Sequence, residues 1–290
     1  MANLKEIRNR IASVSSTMQI TSAMKMVSAA KLKKATDAIL QMRPYSNKLT
    51  ELIQKLTKSN PEFDSSPYTR VRELKKELLI AITSNRGLCG GFNSNIIKSV
   101  NQTSAVNTQS EISVLSIGKK GSDLLSKKFE IHSTYDDIYE NLNFESVSKV
   151  VDIILDEFDK GKYDQVKIIY NRFKNAATQT VITESFLPIS TSDNDNMSDV
   201  SYDATDYIYE PSQKQIIEHL LPRSLKIQLL KAIKDSIASE HGARMTAMHK
   251  ATDNAQELRD QLKLSYNKAR QASITNEILE IVGGAEALNN

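Results

Sequence analysis

The chain has 290 residues, 40% of them apolar, with 38 Lys and Arg against 35 Asp and Glu. That suffices for one large domain or two ordinary ones around a packed core, and it excludes a disordered chain. No apolar run approaches the roughly 18 residues needed to span a bilayer, and Cys89 is the single cysteine, so no disulfide forms within the chain. The start "MANLKEIRNR" lacks the apolar core of a secretory signal, and its likeness to an Arg-rich, acid-poor presequence is weak. The expectation is a bacterial-type chain in a reducing compartment. The net charge of +3 hides an asymmetry: Met1 to Arg43 carries about +6 and Arg223 to Val282 about +3, which leaves the middle acidic.

From Leu4 to Met42 there is no Gly, Pro or aromatic residue, and the segment reads as helix, with Asn3 and Glu6 as a capping box. Leu4, Ile7, Ile11, Val14 and Met18 form a narrow seam like that of a coiled coil, which is expected to drift to Ile20, Met24 and Val27. The helix continues past Pro44, with a bend there, through Leu49, Leu52, Ile53 and Leu56 to Asn60-Pro61.

Between about Glu73 and Glu210 the chain alternates. "LLIAITS", "ISVLSIG", "VKIIYN" and "TVITESFLP" read as buried strands, and "FNSNIIKSV", "KKGSDLLSKKF" and "FESVSKVVDIILDEFDKGKY" as the intervening helices. This order predicts a parallel, doubly wound sheet with right-handed crossovers. "STSDNDNMSD" reads as a polar loop before a short extended piece, "YIYEP".

The last third returns to helix from about Ser224 to Val282, ended by Gly283-Gly284. Ile227, Leu230, Ile233 and Ile237 begin its stripe; Ala251, Ala255, Leu258, Leu262, Tyr266 and Ala269 extend it. Neither long helix has an apolar face broad enough for a globular core, so the two are expected to pair with each other. Because the middle returns the chain, the pair is antiparallel, and "ASITNEILEIV" (272–282) is left as an apolar tip for another protein. The fold class is therefore α/β: an antiparallel coiled coil of the long terminal helices plus a central doubly wound, mostly parallel, Rossmann-like domain. The divisions fall at 1–60, 73–210 and 211–290.

"SNRGLCGGFN" after the first strand invites comparison with phosphate-binding loops. Gly87, Gly90 and Gly91 are spaced G-x-x-G-G, onto which neither G-x-G-x-x-G nor G-x-x-x-x-G-K-[ST] can be written. The ribose-binding acid of a dinucleotide fold belongs at the end of the second strand, whereas Glu111 precedes it. Gly87, Cys89, Gly90 and Gly91 thus read as a structural turn, with no cofactor bound. His132, His219, His241 and His249 are too scattered for a metal set with Cys89, and Glu240, His241 and Arg244 lie on an extended helix without an evident pocket. Met24, Met26, Met245 and Met248 suit adaptable helix packing. No catalytic, cofactor or metal site is expected.

"KEIRNRIASVSSTMQITSAMKMVSAAKL", "RGLCGGFN", "YIYEP", "ASEHGARMTAMHKATDNA" and "YNKARQASITNEILEIVGGAEAL", in that order, resemble the gamma-subunit family of F-type ATP synthases. The resemblance implies a non-catalytic central rotor stalk, its paired helices turning inside a ring of alpha and beta subunits and its middle domain standing with the epsilon subunit on the membrane ring of c subunits. By that resemblance Arg270, Gln271 and Thr275 meet the loops of the ring, the tip with Ile278, Ile281 and Val282 sits in its apolar bearing, and Met24 and Lys25, with Arg244 opposite, face the acidic lip of beta. Tyr207, Tyr209 and Glu210 meet epsilon and the c ring. The implied location is peripheral, on the cytoplasmic face of a bacterial inner membrane. One cysteine cannot supply the redox pair of chloroplast members. Two other readings remain: a nucleotide-binding enzyme with the helices as a dimerisation stalk, and a coiled-coil nucleic-acid binder, whose dense basic face is lacking.

Overall fold

The computed structural model describes residues 4–58, 66–107, 110–189, 210 and 212–288. Helix α1 is Leu4–Lys58, followed by β1 (Lys76–Ile82), α2 (Phe92–Val106), β2 (Glu111–Ile117), α3 (Lys119–Leu125), β3 (Glu130–Thr134), a short 3-10 turn (Asp137–Tyr139), α4 (Phe144–Asp159), β4 (Gln165–Phe173), β5 (Gln179–Leu187) and α5 (Gln213–Leu288). The chain divides into a paired-helix unit, Met1–Ala29 with Arg244–Asn290, and a sheet-containing unit, Ala30–Ala243.

In the sheet-containing unit the strand order is β3-β2-β1-β4-β5. β1, β2, β3 and β4 are mutually parallel, whereas β5 runs antiparallel to β4. The expectation of a parallel sheet is corrected at that last strand: only Lys174–Thr178 separate β4 from β5, too few residues for a crossover, so the chain turns back as a hairpin. β3 was not foreseen, because "EIHST" is short, half-buried and polar, as befits an edge strand. α3 accordingly stops at Leu125.

The two-residue period of the strands sorts the core into two layers. Leu78, Ile80, Ile82, Leu115, Ile117, Val166, Ile168 and Tyr170 pack with α4 and with Leu225–Ile233 of α5 on one face. Leu79, Ala81, Val114 and Ile169 meet α2 and α3 on the other. The α4 stripe Val147, Val150, Val151, Ile154, Leu155 and Phe158 is fully apolar, and its N-terminus carries the sheet domain's capping box, Asn143 with Ser146. Arg72 stacks 5.1 Å from the Phe158 ring centroid and donates to the Phe158 carbonyl at 2.8 Å, closing the other end.

α5 departs from expectation here. It begins at Gln213, running through Pro222, and between Leu225 and Ser239 it is buried nearly all round: Leu229, Ile233, Ala238 and Ser239 are each 0% exposed. It is a core element of this unit as well as a partner of α1. Its small and polar residues Ala232, Ser236, Ala238 and Ser239 let neighbours approach closely, and an apolar stripe alone does not reveal that. Nor does Gly283-Gly284 end the helix, which continues to Leu288; two glycines lower helix propensity without forbidding it.

In the paired-helix unit the two segments run antiparallel. Arg8 Nη2 donates to Tyr266 Oη at 2.8 Å, Arg259 Nη1 lies 3.7 Å from Met18 Sδ, and Thr252 Oγ1 donates to Thr21 Oγ1 at 2.8 Å, so numbers rise on one helix as they fall on the other. The α1 seam does not drift. Ile20 and Val27 are 60% and 57% exposed, while Thr21 and Ser28 are buried. With Leu4, Ile7, Ile11, Val14 and Met18 at least partly buried, the spacing of three and four continues through polar residues. On α5 likewise Leu258 is exposed and Arg259 takes the seam position. Asn3 lies outside the described residues, and Glu6 pairs with Arg10 at 2.7 Å.

Candidate functional site

A doubly wound sheet binds ligands at the carboxyl ends of its strands, where strand order reverses; here that point lies between β1 and β4. The chain's own side chains occupy it. The β1–α2 turn is held from Asn93, whose Oδ1 accepts Ser84 N at 3.0 Å and whose Nδ2 donates to Ser84 Oγ at 2.8 Å and Cys89 Sγ at 3.3 Å. Ser84 Oγ donates to Arg86 O at 2.7 Å. Positive φ falls on Gly90 and, unusually, on Leu88 at 61°, whereas Gly87 and Gly91 do not adopt it. Cys89 is buried and the three glycines are exposed.

Next to this turn, Thr83 Oγ1 accepts Gly121 N at 2.8 Å and donates to Gly118 O at 3.1 Å. Gly118, with φ +104°, would bring a Cβ within 2.2 Å of Thr83 O. The Tyr139 hydroxyl donates to the same carbonyl at 2.5 Å; burial, then Glu240, pushes its pKa well above the usual phenolic range and keeps it a donor. Across the β1–β4 gap Asn171 Nδ2 donates to Phe92 O at 3.2 Å, and Ser239 Oγ on α5 donates to Asn171 O at 2.9 Å. Gly242 follows one turn on, where a Cβ would stand 3.1 Å from Ala176 O. α5 therefore packs on β4 and the β4–β5 turn, beside the crevice. Thr83, Asn171 and Ser239 were not singled out in the sequence; the available signal was the run of small residues in "SIASEHGA" on a helix otherwise rich in long side chains.

Glu111 opens β2, at the end opposite the crevice, and pairs with Lys76 at 3.5 Å. His132 meets Glu157 at 3.0 Å, His249 meets Asp253 at 3.2 Å, and His219 is exposed. Among the described residues no three His, Cys, Asp or Glu side chains gather as a metal set.

The residues assigned to contact with the alpha/beta ring are spread along the long helices. Met24 and Lys25 are half-buried on α1, and Arg244 is 8% exposed on α5. Arg270, Gln271 and Thr275 are exposed, the Thr275 hydroxyl donating to Gln271 O at 2.9 Å. Ile274, Ile278, Leu279, Ile281 and Val282 are between 46% and 71% exposed. Glu210 is exposed, while Tyr207 and Tyr209 lie outside the described residues.

The family model described as ATP synthase matches residues 3–288. This chain belongs to the ATP synthase gamma-chain family. It is 62% identical to the ATP synthase gamma chain of Flavobacterium johnsoniae over 100% of both chains, and 42% identical to that of Geotalea uraniireducens over 99% of each. Among solved structures it resembles a chain of the Tetrahymena thermophila mitochondrial ATP synthase central stalk and c-ring, with TM-score 0.63 and 28% identity over 80% of this gamma-family chain and 99% of that one. A Euglena gracilis mitochondrial ATP synthase chain shares the fold at TM-score 0.68 and 20% identity, over 98% and 94% of the two chains.

Proposed function

We propose that this gamma-family chain is the central rotor stalk of an F-type ATP synthase, carrying rotation between a membrane c ring and the nucleotide sites of an alpha/beta ring without catalysing the reaction itself. The observation that carries the reading is in the paired-helix unit. Opposed residues there have numbers summing to about 274, so the α1 residues described from Leu4 onward reach α5 only to about Arg270. Beyond it Ile274, Ile278, Ile281 and Val282 stand exposed on helix. Contiguous exposed apolar helix marks a protein interaction site, and a bearing in the alpha/beta ring fits it. Arg270, Gln271 and Thr275 then face the ring's loops at the base of this tip, Met24, Lys25 and Arg244 face the acidic lip of beta, and Tyr207, Tyr209 and Glu210 meet epsilon and the c ring.

A rotor must not fall into one deep bound state, so apolar surface with a few charges suits the turning end, and torque passes by steric push and by attraction between basic helix and acidic loops. No described helix is long and apolar enough to cross a membrane, which accords with peripheral attachment through the complex, on the cytoplasmic face of a bacterial inner membrane. Reconstitution with alpha and beta subunits tests the reading. Co-purification and an ATP hydrolysis rate that requires this chain are the expected results; hydrolysis by alpha and beta that is indifferent to it would refute the role. Tight stoichiometric ATP or NAD binding by the chain alone would instead favour the nucleotide-binding enzyme.

A further inference from the structure

In the sheet-containing unit one carboxylate stands where burial works against its charge. Asp235 on α5 has 2% of its side chain exposed, its Oδ1 makes no hydrogen bond, and Arg43 Nη2 of α1 lies 4.0 Å away. The other charged groups that face it are Lys231 on α5, Arg172 on β4 and Glu184 on β5, which accepts the Tyr170 hydroxyl at 2.8 Å. Burial is the largest influence and raises the Asp235 pKa; Arg43, Lys231 and Arg172 pull it only part of the way back. A carboxyl whose folded pKa lies above its unfolded value favours folding while protonated. That contribution is lost as pH rises through the raised value.

An ion pair with one buried partner, here Asp235 at 2% exposed against Arg43 at 42%, is a poor stabiliser, yet it can fix the register of two helices whose apolar seam would accept neighbouring registers. The α1 seam in this unit is of that kind: Leu32, Ala35, Ile39, Met42, Ser46 and Leu49 are buried or half-buried at spacings of three and four, offering similar surface each heptad. Pro44, beside Arg43 and inside the helix, has no N–H for the Leu40 carbonyl, so α1 lacks one backbone hydrogen bond next to Arg43.

We propose that Arg43 and Asp235 are positioning residues that pin α1 against α5 beside Pro44 and so fix the register in which the helix pair transmits rotation. The proposal rests on the rotor reading. The test uses membrane vesicles carrying the whole ATP synthase with wild-type chain, Asp235→Asn, Asp235→Glu or Arg43→Gln, and measures ATP hydrolysis, ATP-driven proton uptake and the temperature of inactivation. Asp235→Asn and Arg43→Gln are expected to keep hydrolysis within two-fold while proton uptake per ATP falls at least three-fold. Asp235→Asn is expected to inactivate at the wild-type temperature or above, since it removes a buried charge, and Asp235→Glu to recover most of the uptake. Unchanged uptake per ATP in Asp235→Asn overturns the pin, as does a loss accompanied by lower thermal stability, or one that Asp235→Glu does not recover. Failure of the rotor reading looks different: vesicles assembled without this chain would then pump as well as those with it.

Discussion

Thr83 closes the exit of β1 with a single hydroxyl, which accepts from Gly121 N and donates to Gly118 O while itself 0% exposed. Thr83→Val keeps the shape and strands the Gly121 N–H in a buried site. The expected loss is about 1–3 kcal/mol, read as a lower urea midpoint of the full chain with unchanged slope. Gly118→Ala is expected to cost more, roughly 3 kcal/mol or above, because its Cβ would stand 2.2 Å from backbone and its φ of +104° excludes side chains. At this scale the sequence was legible only in part. The glycine spacing argued against a phosphate loop, yet positive φ sits on Leu88 and Gly90, not on Gly87 or Gly91. Residue type shows where the chain can turn, and the hydrogen bonds of its own Asn93 and Asn85 decide how it does. Asn85 Oδ1 accepts Lys119 N at 3.0 Å and its Nδ2 donates to Asp136 O at 2.9 Å, joining three loops that no local window contains.

Elements were legible where burial is one-sided or complete. β1, β2 and β4 announce themselves as β-branched runs because both their faces are covered, and α4 by a stripe of six buried apolar residues. β3 was not, since an edge strand of five residues has little apolar signal to give. The α1 seam misled in another way. Hydrophobicity pointed to Ile20 and Val27, but geometry keeps the seam on Thr21 and Ser28, because a steady spacing of three and four outweighs the identity of single residues. The two alternatives predict opposite mutants. Ile39→Ala, at a position 3% exposed, is expected to lose about 2–4 kcal/mol. Ile20→Ala should change stability by no more than about 0.5 kcal/mol. Urea titration of each full-length variant checks the pair. The direction of α5's second role was equally hidden, since Ala232, Ser236, Ala238 and Ser239 look like a weak helix face and are in fact the close contacts of a core helix.

For the whole molecule, the charge asymmetry places exposed Lys31, Lys33 and Lys34 on α1, clear of any described ion pair. Reversing all three to Glu should leave the far-ultraviolet circular dichroism unchanged and weaken assembly with alpha and beta subunits. The defect should be largest at low salt, because exposed charges are screened over about 10 Å at 0.1 M. Assembly with wild-type salt dependence would remove electrostatics from the account. Ile278→Asp with Ile281→Asp should likewise spare folding, both being more than half exposed, and impair ATP hydrolysis in the reconstituted ring.

Ser239 and Gly242 seat α5 on β4 and on the β4–β5 turn, beside the place a sheet of this winding offers to a diffusible molecule. That neighbour is tethered: being part of the same chain, it is present at an effective concentration no supply can alter. With its own helix beside that place, the chain is expected to keep its melting temperature in millimolar ATP.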